Sequence, residues 1–596
     1  MSYTAPLKDM LFVMNALAGL PALAALPGCE DSSADTAEAV LEENARFCSE
    51  VVAPLNVTGD RQPSAWRDGA VTTTPGFKEA FKAFAQAGWQ GIQHPPAFGG
   101  QGLVKLIATP CMEMLNSANL SFALCPLLTD GTIEALMTAG SEAQKQTYLQ
   151  NLVSGVWTGT MNLTEPQAGS DLAMVRTRAV PQADGTYLLS GTKIYITYGD
   201  HDMADNIVHM VLARTPDAPE GVKGISLFVV PKFLPDANGA PGQRNDVTCV
   251  SLEHKLGIKA SPTAVLQFGD QGGAVGTIVG EENRGLEYMF IMMNAARFAV
   301  GVQGIAVAER AYQKAVAYAR ERVQSRELTG SPGPVAIIRQ PDVRRLLMSM
   351  RAQVEAARAL AYVTAAASDA AHHEPDAGRR AQSQAFYEFM VPVVKGWSTE
   401  MAVDVTSAGV QVHGGMGFIE ETGAAQYYRD ARILSIYEGT TAIQANDFVG
   451  RKTARDGGAT ARSILAQVRQ TAAELTAKDD ATLAAIGQTL DDAAVAMGQV
   501  VDYIVASIKT DIKAVFAGSV PYLKMAGIVL GGWQMARAAQ LASAALSGQK
   551  GDAAFYRAKL ATARFYADHF LTQAGGLSLA IVGGGAGVMA MEDEQF

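Results

Sequence analysis

The sequence predicts a mainly α-helical protein that carries a small β domain between two helical regions. Three observations predict this fold class. Apolar residues recur with helical spacing before residue 155 and again after residue 286. The segment between them consists of short β-branched and aromatic runs separated by Asp, Gly, Pro and Asn. The chain of 596 residues is also longer than a domain built around one hydrophobic core, so several domains are expected.

The predicted domains follow these changes of pattern along the chain. They are an N-terminal extension (1–37), an N-terminal helical domain (38–160), a β-barrel domain (161–285), a helical bundle (286–450) and a C-terminal helical domain (451–596).

The N-terminal helical domain is predicted from apolar spacing interrupted by one turn. Helical spacing covers residues 36–53, and the aromatic residues within 77–89 are spaced to form one buried stripe. Prolines and glycines at 94–102 predict a turn, after which 104–155 returns to helical spacing. The apolar stretch 10–26 contains an asparagine and a proline, so we expect it to pack on the protein as a helix or hairpin, not to act as a signal peptide.

The β domain is predicted from short runs of β-branched and aromatic residues bounded by turn residues. The expected strands are 187–197, 207–213, 225–230, 247–252 and 263–268. Together they fit a small antiparallel barrel or sandwich.

The helical bundle is predicted from long helical segments joined by short connections. Its expected helices are 286–324, 340–368, 379–407 and a shorter one at 424–437. Since such helices pack side by side when their connections are short, we expect an antiparallel bundle.

The C-terminal helical domain is predicted to follow a polar, glycine-containing linker at 450–460. Helical spacing then covers 461–546 and 552–571. Two lysines and an aspartate interrupt the apolar surface of 504–530, so a core helix is expected there and membrane contact is at most peripheral.

The composition excludes several classes of function. The formal net charge of −11 disfavours non-specific binding to nucleic acid. The five cysteines are scattered and form no CxxC pair, so neither a disulfide framework nor a zinc site is implied. A reducing, cytoplasmic location fits this cysteine usage, and no metal site is expected.

Glu438 is the candidate catalytic residue. It lies between an apolar run and the flexible turn Gly439-Thr440-Thr441. Apolar neighbours are expected to remove water from the carboxylate, which raises its pKa and makes it a better base than a solvated glutamate. An exposed glutamate at a helix end is the commoner arrangement, so this interpretation depends on the motifs that accompany Glu438.

Other motifs supply groups that suit a ligand. In the turn that starts at Met161, Gly169 lets a ligand approach the backbone and Ser170 offers a hydroxyl, although such turns are more often structural. Arg297 stands in an apolar helix, where it must pair with an acid or bind an anion. The basic cluster at 320–326 is either a solvated helix terminus or a phosphate clamp.

Taken in order, these motifs resemble those of the acyl-CoA dehydrogenases. Residues 163–171 (LTEPQAGSD) look like the signature of that family's β domain. Residues 411–417 (QVHGGMG) and 437–440 (YEGT) look like its second signature. The resemblance covers about residues 40–450, and the two terminal segments resemble the longer branch of the family. The first 20 residues look most like bacterial members named 3-methylmercaptopropionyl-CoA dehydrogenases.

The resemblance implies bound FAD and a role for each matching residue. Glu438 is implied as the base that removes the α-proton. The residues implied to bind FAD within one subunit are Met161, Leu163, Thr164, Tyr195, Thr197 and Thr440, with Thr197 near N5. The residues implied to bind the FAD of a neighbouring subunit are Arg322, Gln324, Gln411, Gly414 and Gly415. The residues implied to contact the substrate are Ser170, Asn294, Arg297, Glu438 and Gly439.

The implied reaction is α,β-dehydrogenation of an acyl-CoA to the trans-2-enoyl-CoA, of the fatty acid β-oxidation or 3-methylmercaptopropionyl-CoA type. The implied partners are an electron-transfer flavoprotein and a second copy in a homodimer, since the C-terminal domain of longer relatives takes the place of a second subunit pair. Two alternatives stay open from the sequence: an acyl-CoA oxidase that uses O₂, and a non-enzymatic flavoprotein for assembly or DNA protection. The acidic charge and the intact Glu438 argue against the second alternative.

Overall fold

The computed structural model describes residues 3–549 and 551–596, and it confirms the predicted fold class. Helices occupy both ends of the chain, and a mostly antiparallel sheet lies between them.

The N-terminal region consists of short helices around two long buried ones. Its helices are α1 (Leu7–Phe12), α2 (Leu20–Leu23), α3 (Ala34–Phe47), α4 (Leu55–Arg61), α5 (Phe77–Gln86), α6 (Lys105–Ala118), α7 (Leu120–Ala139) and α8 (Glu142–Val153). A short hairpin joins β1 (Ala65–Arg67) to β2 (Ala70–Thr72). The extension packs on the body as expected, since Met10 and Met14 are fully buried in the main core and Arg537 donates a hydrogen bond to the carbonyl of Leu17.

The central domain is an eight-stranded sheet in the order β10-β11-β5-β12-β7-β6-β3, with β4 paired to β5. Its strands are β3 (Trp157–Asn162), β4 (Arg178–Pro181), β5 (Tyr187–Thr197), β6 (Asn206–Ala213), β7 (Ser226–Pro231), β10 (Val247–Leu252), β11 (Thr263–Phe268) and β12 (Ala274–Val279). A separate hairpin joins β8 (Phe233–Pro235) to β9 (Pro241–Arg244).

Strand β3 corrects the prediction of an all-antiparallel domain. It pairs with β6 in parallel, with Met161 opposite Met210, whereas the other strand pairs are antiparallel. All six residues of β3 are buried, so the strand lacks the alternation of apolar and polar residues that marks a half-exposed strand. The domain boundary expected between 160 and 161 therefore falls inside this strand.

The bundle consists of three long helices and two short ones. They are α9 (Gly285–Glu321), α10 (Pro341–His373), α11 (Ala377–His413), α12 (Ala424–Ala431) and α13 (Thr441–Asp447). Helices α9 and α11 approach closely because Gly301 and Gly304 lack side chains. A Cβ at Gly301 would lie 2.6 Å from Val394 Cγ1, and one at Gly304 would lie 2.5 Å from the carbonyl oxygen of Ser398.

The helix predicted over 424–437 is wrong in its second half. Helix α12 ends at Ala431, and an irregular turn connects it to α13. Glu438 and Gly439 have φ angles of +52° and +87°, which a right-handed helix does not admit. The candidate base therefore lies on a turn between two short helices.

The C-terminal domain packs against the bundle. Its helices are α14 (Ala459–Thr476), α15 (Ala481–Ser507), α16 (Ile512–Ala517), α17 (Ser519–Ser547), α18 (Ala553–His569), α19 (Ala574–Gly583) and α20 (Gly585–Val588). Leu523 of α17 lies directly over Gly396 of α11, and Trp397 lies over Gly527. The expected linker at 450–460 begins in a π-helix, Phe448–Ala454, and ends in the first residues of α14; Phe448 and Val449 are buried.

Among the residues that the structure describes, two helices, α7 and α9, are long and apolar enough to cross a membrane by length and composition. Within the protein, 83% and 72% of their most apolar windows are buried. They are accounted for as core helices: α7 packs against β3, and both contribute to the apolar core beside the sheet.

Candidate active site

Glu438 is presented by the irregular turn between α12 and α13. The positive φ angles of Glu438 and Gly439 reverse the chain direction here. Thr440 then caps α13, since its Oγ1 accepts a hydrogen bond of 3.3 Å from the N–H of Ile443. The turn thus fixes the backbone on both sides of the carboxylate.

The environment of Glu438 makes its carboxylate a stronger base than a solvated one. Burial raises the pKa of Glu438, whereas the charges of Lys395 and Arg297 oppose this rise. The side chain remains partly exposed, so a substrate can reach it. Within the described residues, no side chain or backbone donor forms a hydrogen bond with this carboxylate. The expected desolvation of Glu438 is confirmed.

Tyr437, the residue before the candidate base, is anchored in the core. Its hydroxyl donates to Gln303 Oε1 at 2.5 Å, and Gln303 Nε2 donates to Asn116 Oδ1 at 3.0 Å. This chain of hydrogen bonds links α6, α9 and the turn. It anchors the residue that precedes Glu438 to the core.

Arg297 lies in α9 with only 4% of its surface exposed. Its Nη1 is 3.6 Å from Asp447 Oδ2 and 3.4 Å from Asn294 Oδ1, so the expected pairing with an acid is confirmed. Its Nε has no partner among the described residues. Because burial lowers the pKa of Arg297 and an unpaired buried donor costs free energy, this atom suits a polar ligand atom or ordered water.

The two stretches expected to line the flavin lie side by side. The N–H of Ile194 donates to the carbonyl of Thr164 at 2.9 Å. Lys193 Nζ donates to the carbonyl of Leu163 at 3.0 Å and forms a buried ion pair of 2.8 Å with Glu165. This connection brings the end of β3 onto β5, as a shared binding surface requires.

Glu165 is a structural carboxylate in this turn. Burial alone would raise its pKa, but the charge of Lys193 and hydrogen bonds from Lys193, Thr177 and the N–H of Arg176 lower the pKa to about 2. Glu165 therefore stays ionised and fixes the turn, and it does not act as a second base.

The groups on this surface fit a flavin. Tyr195 is 61% exposed and has a φ of +60°, so the strand presents an aromatic side chain outward. Within the described residues, the hydroxyls of Thr164 and Thr197 make no hydrogen bond, and the buried Oδ1 of Asn162 has no partner. An aromatic face with unpaired hydroxyls and an unpaired amide oxygen matches a planar ring that carries polar edges.

A second surface collects the residues expected to reach a neighbouring subunit. Tyr318 and His413 stack with their ring centroids 4.4 Å apart, which brings the C-terminal ends of α9 and α11 together. Around them, Arg322, Gln324, Gln411, Gly414 and Gly415 are exposed. Exposed apolar residues accompany them: Val323, Leu328, Met416, Phe418 and Ile419.

The remaining predicted site residues differ in their exposure to solvent. Met161 is buried at the end of β3, whereas Ser170 and Asn294 are exposed. Sequence reasoning missed Lys395, Gln303 and Gln444, which contact the turn of Glu438 or its neighbours. Lys395 carried the same signal as Arg297, a lone charge in an apolar helix.

Four domain families match successive parts of the chain. They are "Acyl-CoA dehydrogenase, N-terminal domain" (34–156), "Acyl-CoA dehydrogenase, middle domain" (160–271), "Acyl-CoA dehydrogenase, C-terminal domain" (283–452) and "Acetyl-CoA dehydrogenase C-terminal like" (464–592).

Several relatives match the chain over nearly its whole length, among them the following two. A 3-methylmercaptopropionyl-CoA dehydrogenase of Ruegeria pomeroyi is 53% identical, with 96% of this chain and 97% of the relative aligned. The broad-specificity linear acyl-CoA dehydrogenase FadE5 of Mycobacterium tuberculosis is 37% identical, over 96% of this chain and 95% of the relative. An acyl-CoA dehydrogenase of Bacillus anthracis, solved in complex with FAD, has the same fold, with a TM-score of 0.74 at 23% identity over 96% of this chain and 91% of that one.

Proposed function

The chain belongs to the acyl-CoA dehydrogenase family and is an FAD-dependent oxidoreductase of acyl-CoA thioesters, and from this premise we propose that Glu438 is the base that removes the α-proton of the substrate. The observation that carries the proposal is the turn of residues 432–440. It holds one carboxylate with a raised pKa at a partly exposed position, beside two cations and an unpaired buried donor.

Glu438 acts first by taking the proton from the α-carbon. The α-proton of a thioester is a weak acid in water, so the base must be desolvated and positioned. As the C–H bond breaks, the proton passes to a carboxylate oxygen of Glu438, which becomes neutral. Burial favours this neutral product, since it already raises the pKa of Glu438.

Negative charge then develops on the thioester oxygen, and the protein must stabilise it. The N–H of Glu438 donates no hydrogen bond within the described residues, so it is available to this oxygen. A hydrogen bond there would also place the α-carbon next to the side chain that removes its proton. Bound FAD would supply the acceptor for the hydride that leaves the β-carbon.

The binding roles follow from the positions of the remaining residues. We assign the surface of Met161, Leu163, Thr164, Tyr195 and Thr197 to the flavin, with Thr440 toward its diphosphate. Ser170, Asn294 and Arg297 are assigned to the substrate, together with Glu438 and Gly439. The exposed position of Ser170 and Asn294 supports contact with the CoA portion, which is the larger and more polar end of the substrate.

The proposed substrates are 3-methylmercaptopropionyl-CoA or linear fatty acyl-CoA thioesters. The relative from Ruegeria pomeroyi supports the first and the relative from Mycobacterium tuberculosis supports the second. Both acyl groups are unbranched, and a thioether sulfur closely resembles a methylene group in size and polarity. One pocket is therefore able to hold either chain.

Anaerobic mixing of the purified holoenzyme with CoA esters from C4 to C18 and with 3-methylmercaptopropionyl-CoA tests the proposed activity. Loss of flavin absorbance is expected with one or more of these linear esters, and the fastest rate identifies the preferred chain. Absence of bleaching with every ester in a fully FAD-loaded protein contradicts the proposal.

The same reactions run in air identify the electron acceptor. We propose an electron-transfer flavoprotein in this role, so little hydrogen peroxide is expected per acyl-CoA consumed. Stoichiometric peroxide would favour the oxidase reaction instead. A cytoplasmic location is also proposed, supported by five cysteines that are all free and buried.

We further propose that the enzyme is a homodimer in which each subunit completes the FAD site of the other. Arg322, Gln324, Gln411, Gly414 and Gly415 support this arrangement, because they gather on one exposed surface beside exposed apolar side chains such as Phe418. An exposed arginine suits the pyrophosphate of a neighbouring cofactor.

Light scattering coupled to gel filtration is expected to give twice the mass of one 62.8 kDa chain. Replacing Phe418, which is 87% exposed, by aspartate is expected to weaken the dimer and to lower the FAD content together. Replacing the similarly exposed Leu579 in the C-terminal domain serves as the control. A monomer that retains full FAD content contradicts the shared site.

A further inference from the structure

The turn that carries Glu438 is held from the interior by a lysine. Lys395, in the middle of α11, is fully buried. Its Nζ donates to the carbonyl oxygen of Leu434 at 3.0 Å and to that of Gly439 at 2.7 Å. These two carbonyls stand on either side of Glu438 in the chain, so one ammonium group closes the turn around the carboxylate.

The turn requires such an anchor because its backbone is strained. Glu438 has a φ of +52°, a region that residues with a side chain rarely occupy and that costs free energy. Gln444 Nε2 contributes two longer hydrogen bonds, each of 3.3 Å, to the carbonyls of Glu438 and Gly439. Of these contacts, the 2.7 Å bond from Lys395 is the shortest and is charge-assisted.

Lys395 also acts on the charge of Glu438. No carboxylate lies within ion-pair distance of Lys395 in the described part of the chain. The acids that act on it through space are Glu438 and Glu400, while Arg297 opposes its charge. Burial lowers the pKa of Lys395 to about 8, which leaves it mostly protonated at neutral pH. A buried cation without a contacting acid favours the ionised form of Glu438.

The surrounding helices determine where Lys395 lies. Gly301 and Gly304 of α9 let α11 approach most closely at Val394 and Ser398, the residues on either side of this turn of helix. Leu523 of α17 covers the adjacent Gly396. Water is therefore excluded from both sides of Lys395, so its two hydrogen bonds and its charge act in a region of low dielectric.

We propose that Lys395 is a positioning residue for the reaction. By donating hydrogen bonds to the carbonyls of Leu434 and Gly439, it sets the geometry of Glu438. By its charge, it keeps that carboxylate ionised and ready to accept a proton. This inference rests on the proposed role of Glu438 as the base. The groups that face Glu438 are Lys395 from α11 and Arg297 from α9, and Arg297 is itself paired with Asp447 of α13.

The test compares the Lys395→Met and Lys395→Gln variants with the wild type after FAD content and thermal unfolding have been measured. Two quantities are followed from pH 5.5 to 9: the rate of flavin reduction by acyl-CoA, and the dissociation constant of the enoyl-CoA product. In Lys395→Met the rate at pH 7 is expected to fall by about tenfold, because the turn loses both hydrogen bonds from Lys395 and a smaller fraction of Glu438 is ionised. The rising limb of its pH profile moves to higher pH, because loss of a nearby cation raises the pKa of Glu438.

The two variants separate the charge of Lys395 from its hydrogen bonds. Lys395→Gln keeps a donor but loses the charge, so it is expected to shift the pH profile as Lys395→Met does while retaining more of the rate. Product affinity is expected to change less than about threefold in both, because neither touches the substrate. Lys559→Met removes an equally buried lysine far along the chain, and it is expected to lower stability without moving the pH profile.

Two outcomes overturn the proposal. The first is a holoenzyme of Lys395→Met with the wild-type rate and pH profile. The second concerns the double variant. If Lys395→Met slows the Glu438→Gln enzyme by the same factor as it slows the wild type, Lys395 acts on something other than the base. Full activity of Glu438→Gln alone would instead contradict the proposed function, so the two failures are distinguishable.

Discussion

Glu438→Gln is expected to slow flavin reduction by roughly 10²–10⁴-fold, the usual contribution of a positioned general base. Glutamine has nearly the same shape and fits the same turn, but its amide cannot accept the α-proton at neutral pH. Because the carboxylate forms no hydrogen bond within the described residues, the substitution breaks no internal hydrogen bond and removes only the attraction to Lys395 and Arg297. The variant should therefore fold, bind FAD and bind acyl-CoA. Stopped-flow absorbance under anaerobic conditions measures the rate.

The control for this variant is Glu420→Gln, which lies on the segment before α12 and whose exposed carboxylate pairs with Arg429. It is expected to retain the wild-type rate of flavin reduction within about twofold, since the Glu420 carboxylate is largely solvated and Arg429 keeps its pair with Asp60. If Glu438→Gln bleaches its flavin as fast as the wild type, another residue is the base. Unchanged affinity for the enoyl-CoA product shows that only the chemical step has been lost.

The pH profile gives a second readout of the same substitution. In the wild type the rate should rise with pH through the pKa of Glu438, because only the ionised carboxylate accepts a proton. Burial raises this pKa above its usual value, so the rising limb lies at a higher pH than an exposed glutamate would give. In Glu438→Gln this limb should disappear, leaving a slow rate that varies little in that range.

Local sequence signals were sufficient for much of the β domain. Strands β5, β10 and β11 begin and end at the predicted residues, because turn residues bound each β-branched run. Strand β3 was missed because it is buried on both faces and contains Gly159 between two threonines. Its place in the sheet is set by a parallel partner more than forty residues later, which no local pattern records.

The site could be predicted as a set of motifs but not as a geometry. Periodicity extended a helix to residue 437, whereas long-range hydrogen bonds hold the chain there in a turn. Lys395 reaches carbonyls 39 and 44 residues further along the chain, and Gln303 reaches Tyr437 across 134 residues. Such contacts depend on how α9 and α11 pack. The sequence therefore shows that Lys395 is a lone charge in an apolar helix, but it does not show which carbonyls this lysine contacts.

The buried ion cluster around Arg358 yields the largest expected effect on stability. Arg358, 1% exposed, contacts Asp9 of the extension at 2.7 Å, Glu113 of α6 at 2.6 Å and Glu309 of α9 at 2.9 Å. Lys559 of α18 pairs with the same Asp9 and, at 2.9 Å, with Glu355 of α10. One cluster thus joins the extension, the N-terminal domain, the bundle and the C-terminal domain.

Arg358→Met is expected to lower the free energy of unfolding by about 3–5 kcal/mol, because it leaves buried carboxylates without their cation. Arg469→Met, which breaks an exposed pair with Asp491, should cost at most about 1 kcal/mol. Urea denaturation followed by circular dichroism measures both variants. Equal midpoints for Arg358→Met and the wild type would mean that the cluster adds no net stability.

The pH dependence of the difference in stability between Arg358→Met and the wild type has a definite sign. Burial alone would raise the pKa of Asp9, but the charges of Lys559 and Arg358 outweigh it and lower the pKa below 3.8. A carboxyl group with a lowered pKa stabilises the fold above its unfolded pKa and loses that contribution as pH falls through the folded value. The contribution of Asp9 to the difference in free energy of unfolding between the wild type and Arg358→Met should thus be constant near neutral pH. This contribution should decrease below about pH 4. Because Asp9 belongs to the extension and Lys559 to the C-terminal domain, acid should release the two ends of the chain together.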